Sequence, residues 1–420
     1  MRATLNLLRL EPRARLFFAA YGQSALGNGA GYIALVVLAY DRWRSAWAIA
    51  LVLLADFVPA MIFGPVFGAA ADRWSRRRVA IASDLVRAVA FVAVAFADDV
   101  GATIALALMA GAGAGMFTPA ALAALPSLVD QERLAPATAL YGALTDVGRT
   151  VGPAIAAVGL ALTSPEALAV ANGATFLVSA GVLALLRFGA RPAAPEGDRE
   201  RPGLLREARE GVRATVRMPG IRVLIAASSG LILFAAVMNV AELLVAEDLG
   251  SGRSGFSILV AAAGLGFVLG SLAGAGEAPV AELKRRYLGG ILISALGLVL
   301  IGLAPVFGLA LLGFGLTGIG NGLMLVHERL IFQRVVPDAL MARAFALADT
   351  VGSWAFAVAF VGGGALIAAL GMRPALLVAG AGSALIWVAA SWKLRTAWPS
   401  GGPPAEPGSR AAGGAEAQQA

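Results

Sequence analysis

Residues 46–78 read AWAIALVLLADFVPAMIFGPVFGAAADRWSRRR. An apolar run of about 25 residues, long enough to cross a ~30 Å hydrocarbon core as a helix, ends in an Asp-Arg pair and a block of arginines. Similar runs recur in both directions, and they read as spans at 16–40, 47–71, 79–97, 101–126, 138–162, 166–187, 221–245, 254–276, 287–306, 308–328, 342–369 and 372–394. The pattern predicts an all-α membrane protein of twelve transmembrane helices. Composition points the same way: 59% of the 420 residues are hydrophobic and only 14% charged, against roughly a quarter charged in soluble domains.

Several function classes drop out. The chain has no cysteine and a single histidine, His327, so disulfides, thiolate metal sites and multi-histidine metal sites are excluded. No phosphate-binding glycine loop precedes a Lys-Ser/Thr pair, which argues against direct ATP coupling, and the short loops leave no room for a soluble enzymatic domain. No cofactor is expected. The net charge of +7 is carried by short blocks between apolar runs, where it orients a membrane protein rather than binding nucleic acid. With the N-terminus inside, 27 basic residues fall on the inner side and four (Arg42, Arg44, Arg253, Arg373) on the outer side. Both termini are therefore expected in the cytoplasm, and the first run is a retained helix rather than a cleaved signal.

The stretch from Phe188 to Gly220 is the one long polar interval between spans. It divides the chain into a six-helix bundle at 1–187, a cytoplasmic linker at 188–220, a second bundle at 221–394 and a disordered tail at 395–420. Within the linker Leu204, Ala208, Val212 and Val216 recur every four residues, which fits either a helix on the inner membrane surface or a solvated linker. A faint repeat relates the halves: Thr145-Asp146-Val147-Gly148 in the fifth span and Asp349-Thr350-Val351-Gly352 in the eleventh. Two related six-helix bundles with a substrate site between them suit a secondary transporter.

Gly68-Ala-Ala-Ala-Asp72-Arg73-Trp-Ser-Arg76-Arg77-Arg78 resembles the signature loop of the major facilitator superfamily. The resemblance implies a conformational latch formed by Gly68, Asp72, Arg73, Arg76 and Arg77; read from the residues alone, the charges could equally set topology. Gly148-Arg149-Thr150-Val151-Gly152-Pro153 is similar to the Gly-x-x-x-Gly-Pro element of that superfamily's exporters, with Ala156-Ala157 departing from its usual continuation. Gly148 and Gly152 offer one flat face for close packing and Pro153 permits a bend. Phe117-Thr118-Pro119 and Leu125-Pro126 add similarity to a branch containing macrolide, tetracycline-type and siderophore exporters.

Ionisable residues inside spans are costly and so become candidates for function. Asp56, with no local ion partner, is read as a proton carrier or a hydrogen-bonded packing carboxyl. Asp146 and Arg149 lie three apart on one helix face and are candidates to pair and to couple protons to substrate. Glu242 is read as an interfacial carboxylate or a cation site at the outer mouth, and Asp349 as a partner for Arg343 or the basic loop. Asp84 and Arg87 are expected to pair in support of the basic loop, and His327 to be a helix-end cation near water. Aromatics such as Phe57, Phe63, Phe117, Phe234, Trp354 and Phe356 remain unassigned, because spacing does not separate cavity from packing.

The reading that absorbs most of these features is a monomeric secondary transporter in the cell membrane, exporting a small amphiphilic molecule by proton antiport and alternating access. Lipid or lysolipid flippases and metabolite facilitators would share its fold. A non-transporting membrane receptor would have only the linker and the tail as docking surfaces.

Overall fold

The computed structural model describes residues 7–73, 75–186, 213, 217–273 and 278–397; within these, the side chains at 62–73, 338, 339, 342, 396 and 397 are not described. The expected interfacial helix around Leu204, the tail, and the side chains of Gly68, Asp72 and Arg73 fall outside. Among the described residues there is no strand, and twelve helices exceed a dozen residues. They are α1 (Pro12–Trp43), α2 (Ala46–Arg73), α3 (Arg76–Ala95), α4 (Val100–Ala124), α5 (Leu134–Leu162), α6 (Pro165–Leu185), α7 (Pro219–Asp248), α8 (Gly252–Ala273), α9 (Val280–Leu303), α10 (Phe307–Val335), α11 (Asp338–Leu370) and α12 (Met372–Ala397).

Eight of them, α4, α6 and α7 to α12, are long and apolar enough to cross a membrane. The chain is thus a multi-pass membrane protein. Polar groups interrupt others: Gln23 and Asn28 in α1, Asp84 and Arg87 in α3, Asp146 and Arg149 in α5. The outer faces carry Leu162, Leu185, Leu272, Leu385 and Trp392 exposed, a surface that suits lipid and not water.

Several helices extend beyond the apolar runs, most clearly α9, which starts at Val280, and α10, which continues to Val335. The extra turns carry charged residues, Glu282, Lys284, Arg285 and Arg286 in α9 and Arg329 and Arg334 in α10. A helix keeps its backbone bonded through the interface, whereas hydropathy marks only the stretch inside hydrocarbon.

Helix ends are closed by specific groups. Asp99 accepts from the Ala102 amide at 2.7 Å at the start of α4, and Ser164 caps α6 ahead of Pro165. Gly250 and Gly252, both at positive φ, turn the chain from α7 into α8. Arginines answer the carbonyls left open at C-termini. Arg42 donates to Val94 O at 3.0 Å and Ala95 O at 2.8 Å, Arg76 to Ala123 O at 2.5 Å, and Arg373 to Ala304 O at 2.8 Å. Arg77 serves α6 in the same way through Leu183 O at 3.0 Å and Ala184 O.

In the packing, α1 lies against α5 and α6, α2 against α4, and α3 against α4 and α6; later in the chain α9 lies against α10 and α12, α7 against α11 and α12, and α8 against α10. Contacts between these groups run chiefly through α5 with α8 and α2 with α11, and one hydrogen bond joins α1 to α7. One close approach in the first group is made by Gly148 and Gly152. A Cβ on Gly152 would lie 2.7 Å from Gly29 Cα and 2.8 Å from Leu26 O, so α5 presses directly on the α1 backbone.

That contact leads to a stability prediction. Gly152→Val should cost about 1–3 kcal/mol and lower the detergent melting temperature. Gly142→Ala on the same helix, with open space around it, should leave melting unchanged. Equal melting of both variants would refute the packing role.

Candidate functional site between the helix groups

The residues that meet at the centre come from both ends of the chain. Tyr32 of α1 donates its hydroxyl to Glu242 Oε2 of α7 at 3.1 Å. Glu242 is only 3% exposed, so the interfacial or mouth position expected for it is corrected to a buried one. An apolar environment needs a donor for such a carboxyl, and Tyr32, a residue that sequence reading passed over, supplies it. Asp56 of α2 and Arg149 of α5 act on Tyr32 electrostatically. Tyr32 and Asp56 lie about 15 Å along their helices from the ends at Trp43 and Ala46, at the 1.5 Å rise of a helix.

Aromatic rings adjoin this polar group. Phe57 stands edge-on to Tyr32 at 6.4 Å and stacks on Phe360 at 5.7 Å and Phe356 at 6.5 Å. Three helices, α1, α2 and α11, contribute to the set. Phe360 was not singled out from the sequence, since one phenylalanine in an apolar helix looks like any other.

Asp56 is half-buried and makes no ion pair or hydrogen bond through its side chain among the described residues. The cation acting on it is Arg87 of α3. Gly111 of α4 lets α2 come this near: a Cβ there would lie 2.7 Å from the Asp56 carbonyl carbon. Arg87 pairs with Asp84, as their spacing predicts. The pair is buried, with the guanidinium 4.6 Å from the Phe117 ring centre and 4.2 Å from that of Phe176, held by cation–π attraction in place of water.

The remaining candidates separate. Asp146 and Arg149 are exposed and form no ion pair with each other, since α5 turns both outward from α1 while Gly148 and Gly152 face it. Asp349 is exposed and does not pair with Arg343; it acts instead on Glu328 of α10. His327 is fully buried rather than at a watery helix end, its Nδ1 2.6 Å from Leu323 O. Arg76 and Arg77 bond within α3, α4 and α6 as described above.

One end of the crossing is closed. Arg253 at the start of α8 reaches Asp41 at the end of α1 at 2.5 Å, Ser254 donates to Ala157 O at 3.4 Å, and Gly364 of α11 admits Ala50 and Trp47 of α2. Toward the other end Asp146, Arg149, Asp349 and Thr350 are exposed.

The Major Facilitator Superfamily model matches residues 17–276, well over half of the sequence. The chain belongs to that superfamily. Its members are membrane transporters, and so is this chain, which is not an enzyme. It is 23% identical over 391 residues to an uncharacterized MFS-type transporter, YfiS, of Bacillus subtilis (strain 168), covering 89% of this chain and 91% of the relative. It is 28% identical over 376 residues to the enterobactin exporter EntS of Shigella boydii, covering 86% of each. Among solved structures, a bacterial homologue of the human lysosomal transporter Spinster, inward-facing and unoccupied, aligns with TM-score 0.68 at 16% identity, over 92% of this chain and 96% of that one. The nucleoside transporter NupG aligns with TM-score 0.69 at 11% identity, over 91% and 99%. These similarities extend the shared fold across both helix groups.

Two outcomes follow for this transporter's site. Tyr32→Phe removes the donor to Glu242 and should cost about 1–3 kcal/mol of stability. Adding Glu242→Gln should recover part of that loss in a double-mutant cycle, whereas strict additivity would deny the bond. At the closed end, an ion pair this exposed is worth up to about 1 kcal/mol. Arg253→Glu should therefore lower the disulfide yield between Ala157→Cys and Ser254→Cys by a few fold in this cysteine-free chain, and Asp41→Arg with Arg253→Asp should restore it. An unchanged yield would show that the pair does not hold the ends together.

Proposed function

We propose that the protein is a proton-coupled antiporter that exports a small amphiphilic molecule across a bacterial plasma membrane by alternating access. Its α1–α6 and α7–α12 would act as two six-helix halves, with all twelve helices crossing the membrane and both termini in the cytoplasm. The excess of basic residues in the loops on the N-terminal side supports that orientation. With it, the end sealed by Asp41 and Arg253 is the outer one, and the arrangement opens inward. The enterobactin exporters among the relatives support export, and so does the Gly148–Pro153 element.

The observation that carries the reading is the hydrogen bond from Tyr32 to Glu242, which joins the two helix groups beside Asp56. A carboxyl in a low-dielectric site is stable when neutral and costly when charged without a partner. Protonation from the outside would therefore neutralise Asp56 and Glu242 and favour movement of the halves. Loss of the protons to cytoplasmic water would leave charges that hold a substrate's hydrogen-bond donors or positive groups, with Phe57, Phe356 and Phe360 against its apolar part. Arg149 would balance that charge. Gly68, Asp72 and Arg73, with Arg76 and Arg77, would latch the inner side once it closes.

Purified protein in inside-out vesicles should take up a fluorescent amphiphilic dye only while a pH gradient, acidic inside, is imposed. Asp56→Asn and Glu242→Gln should reduce that uptake to the level of protein-free vesicles while leaving dye binding detectable. Gradient-driven uptake that survives both substitutions would overturn the proton-coupling role.

A further inference from the structure

A second buried carboxyl lies among α7–α12, away from Tyr32 and Glu242. Glu328 of α10 is 7% exposed, and its Oε1 has no hydrogen-bond partner among the described residues. The groups facing it are Ser228 of α7, Tyr287 of α9, Asp349 of α11 and, on its own helix, Arg329. His327, the next residue, points to a different side, toward Glu282 and Arg286. No charged side chain from α8 acts on Glu328.

The hydrogens of this cluster can be assigned from the acceptors alone. Tyr287 is fully buried and gives its single hydroxyl hydrogen to the backbone carbonyl of Leu224 at 3.0 Å. The 2.8 Å bond between Tyr287 and Ser228 must then be donated by Ser228. With its only hydrogen committed to Tyr287, Ser228 has nothing but lone pairs to turn toward the neighbouring Glu328 carboxyl. A carboxylate there would face an acceptor and keep an unpartnered oxygen, whereas a carboxylic acid would donate O–H to Ser228 and complete the chain Glu328 to Ser228 to Tyr287 to Leu224.

We propose that Glu328 is a second proton-binding site, held by Ser228 and Tyr287 inside the last six helices, which exchanges its proton with the aqueous side past exposed Asp349. The inference rests on the reading of a proton-driven transporter but uses none of the residues that carry it. Asp349 is an exposed carboxylate near enough to Glu328 to act on it electrostatically, and so is the candidate relay. A shift of α11 against α10 would change the distance between them and hence the ease of proton loss. The proton moves as H⁺ between two carboxyls, with no other bond made or broken.

The test is infrared difference spectroscopy on the purified full-length protein, comparing acidic with alkaline buffer and following the stretching band of protonated carboxyls. Wild type should lose a component of that band on alkalinisation that Glu328→Gln lacks. Glu328→Asp should regain a component, and Ser228→Ala and Tyr287→Phe should move its frequency by breaking the hydrogen-bond chain. Asp349→Asn should keep the component and alter the pH at which it disappears. Asp56→Asn and Glu242→Gln should leave this component intact. If those two variants change neither the spectrum nor the transport while Glu328→Gln removes a band, the central reading fails and the Glu328 site stands. A Glu328→Gln spectrum that superimposes on wild type, in protein with unchanged circular dichroism and melting, would overturn the proposal.

Discussion

Hydrocarbon offers no hydrogen bonds, so each polar group placed at membrane depth must find its partner within the protein or pay a penalty of several kcal/mol. The arrangement of this transporter follows from that constraint at three levels. Backbone amides and carbonyls are taken up inside helices, and the carbonyls at helix ends by arginines, Arg42 for α3, Arg76 for α4, Arg77 for α6 and Arg373 for α9. The buried Arg87 finds Asp84 and two aromatic faces. Glu242 finds a tyrosine from the opposite helix group.

The same constraint explains why function gathers where partners run short. Among the described residues Asp56 has no side-chain partner, and Glu328 keeps one oxygen without one. In water such gaps would be filled by solvent and mean little. In a membrane an ionisable group left so is costly, which makes it a candidate for function. The helices themselves pack closely: Gly148 and Gly152 set α5 against α1 backbone to backbone, and glycines of α8, α9 and α10 do likewise among the later helices. The ion pair between Asp41 and Arg253, exposed and easily broken, belongs to the interface between groups and is weak enough to open.

The motif arginines show how one residue can serve topology, folding and mechanism. Arg76 and Arg77 open α3 in a basic block of the kind that orients a helix hairpin, and here each neutralises the negative end of a neighbouring helix. A latch built from them would have to exchange these carbonyls for partners on the far helices. In this structure both side chains cap helices.

Sequence by itself determined the fold class, since apolar runs of membrane length and blocks of arginine are local properties that backbone hydrogen bonding in lipid converts directly into helices. It also marked Asp56 and Glu242 as unusual, because a carboxylate inside such a run is costly wherever it points, and it set the spacing that pairs Asp84 with Arg87. Its motifs indicated the superfamily. Tertiary structure decided which of these charges meet. Asp146 and Arg149 share a helix face but are exposed and unpaired with each other, while Tyr32 and Glu242, over two hundred positions apart, bond directly. It also decided that His327 and Glu328 are interior residues and that Phe360, not distinguishable in the chain, stacks beside the central carboxyls. Such meetings depend on the rotation of each helix about its axis, and that rotation is fixed by glycine contacts distributed over several helices at once.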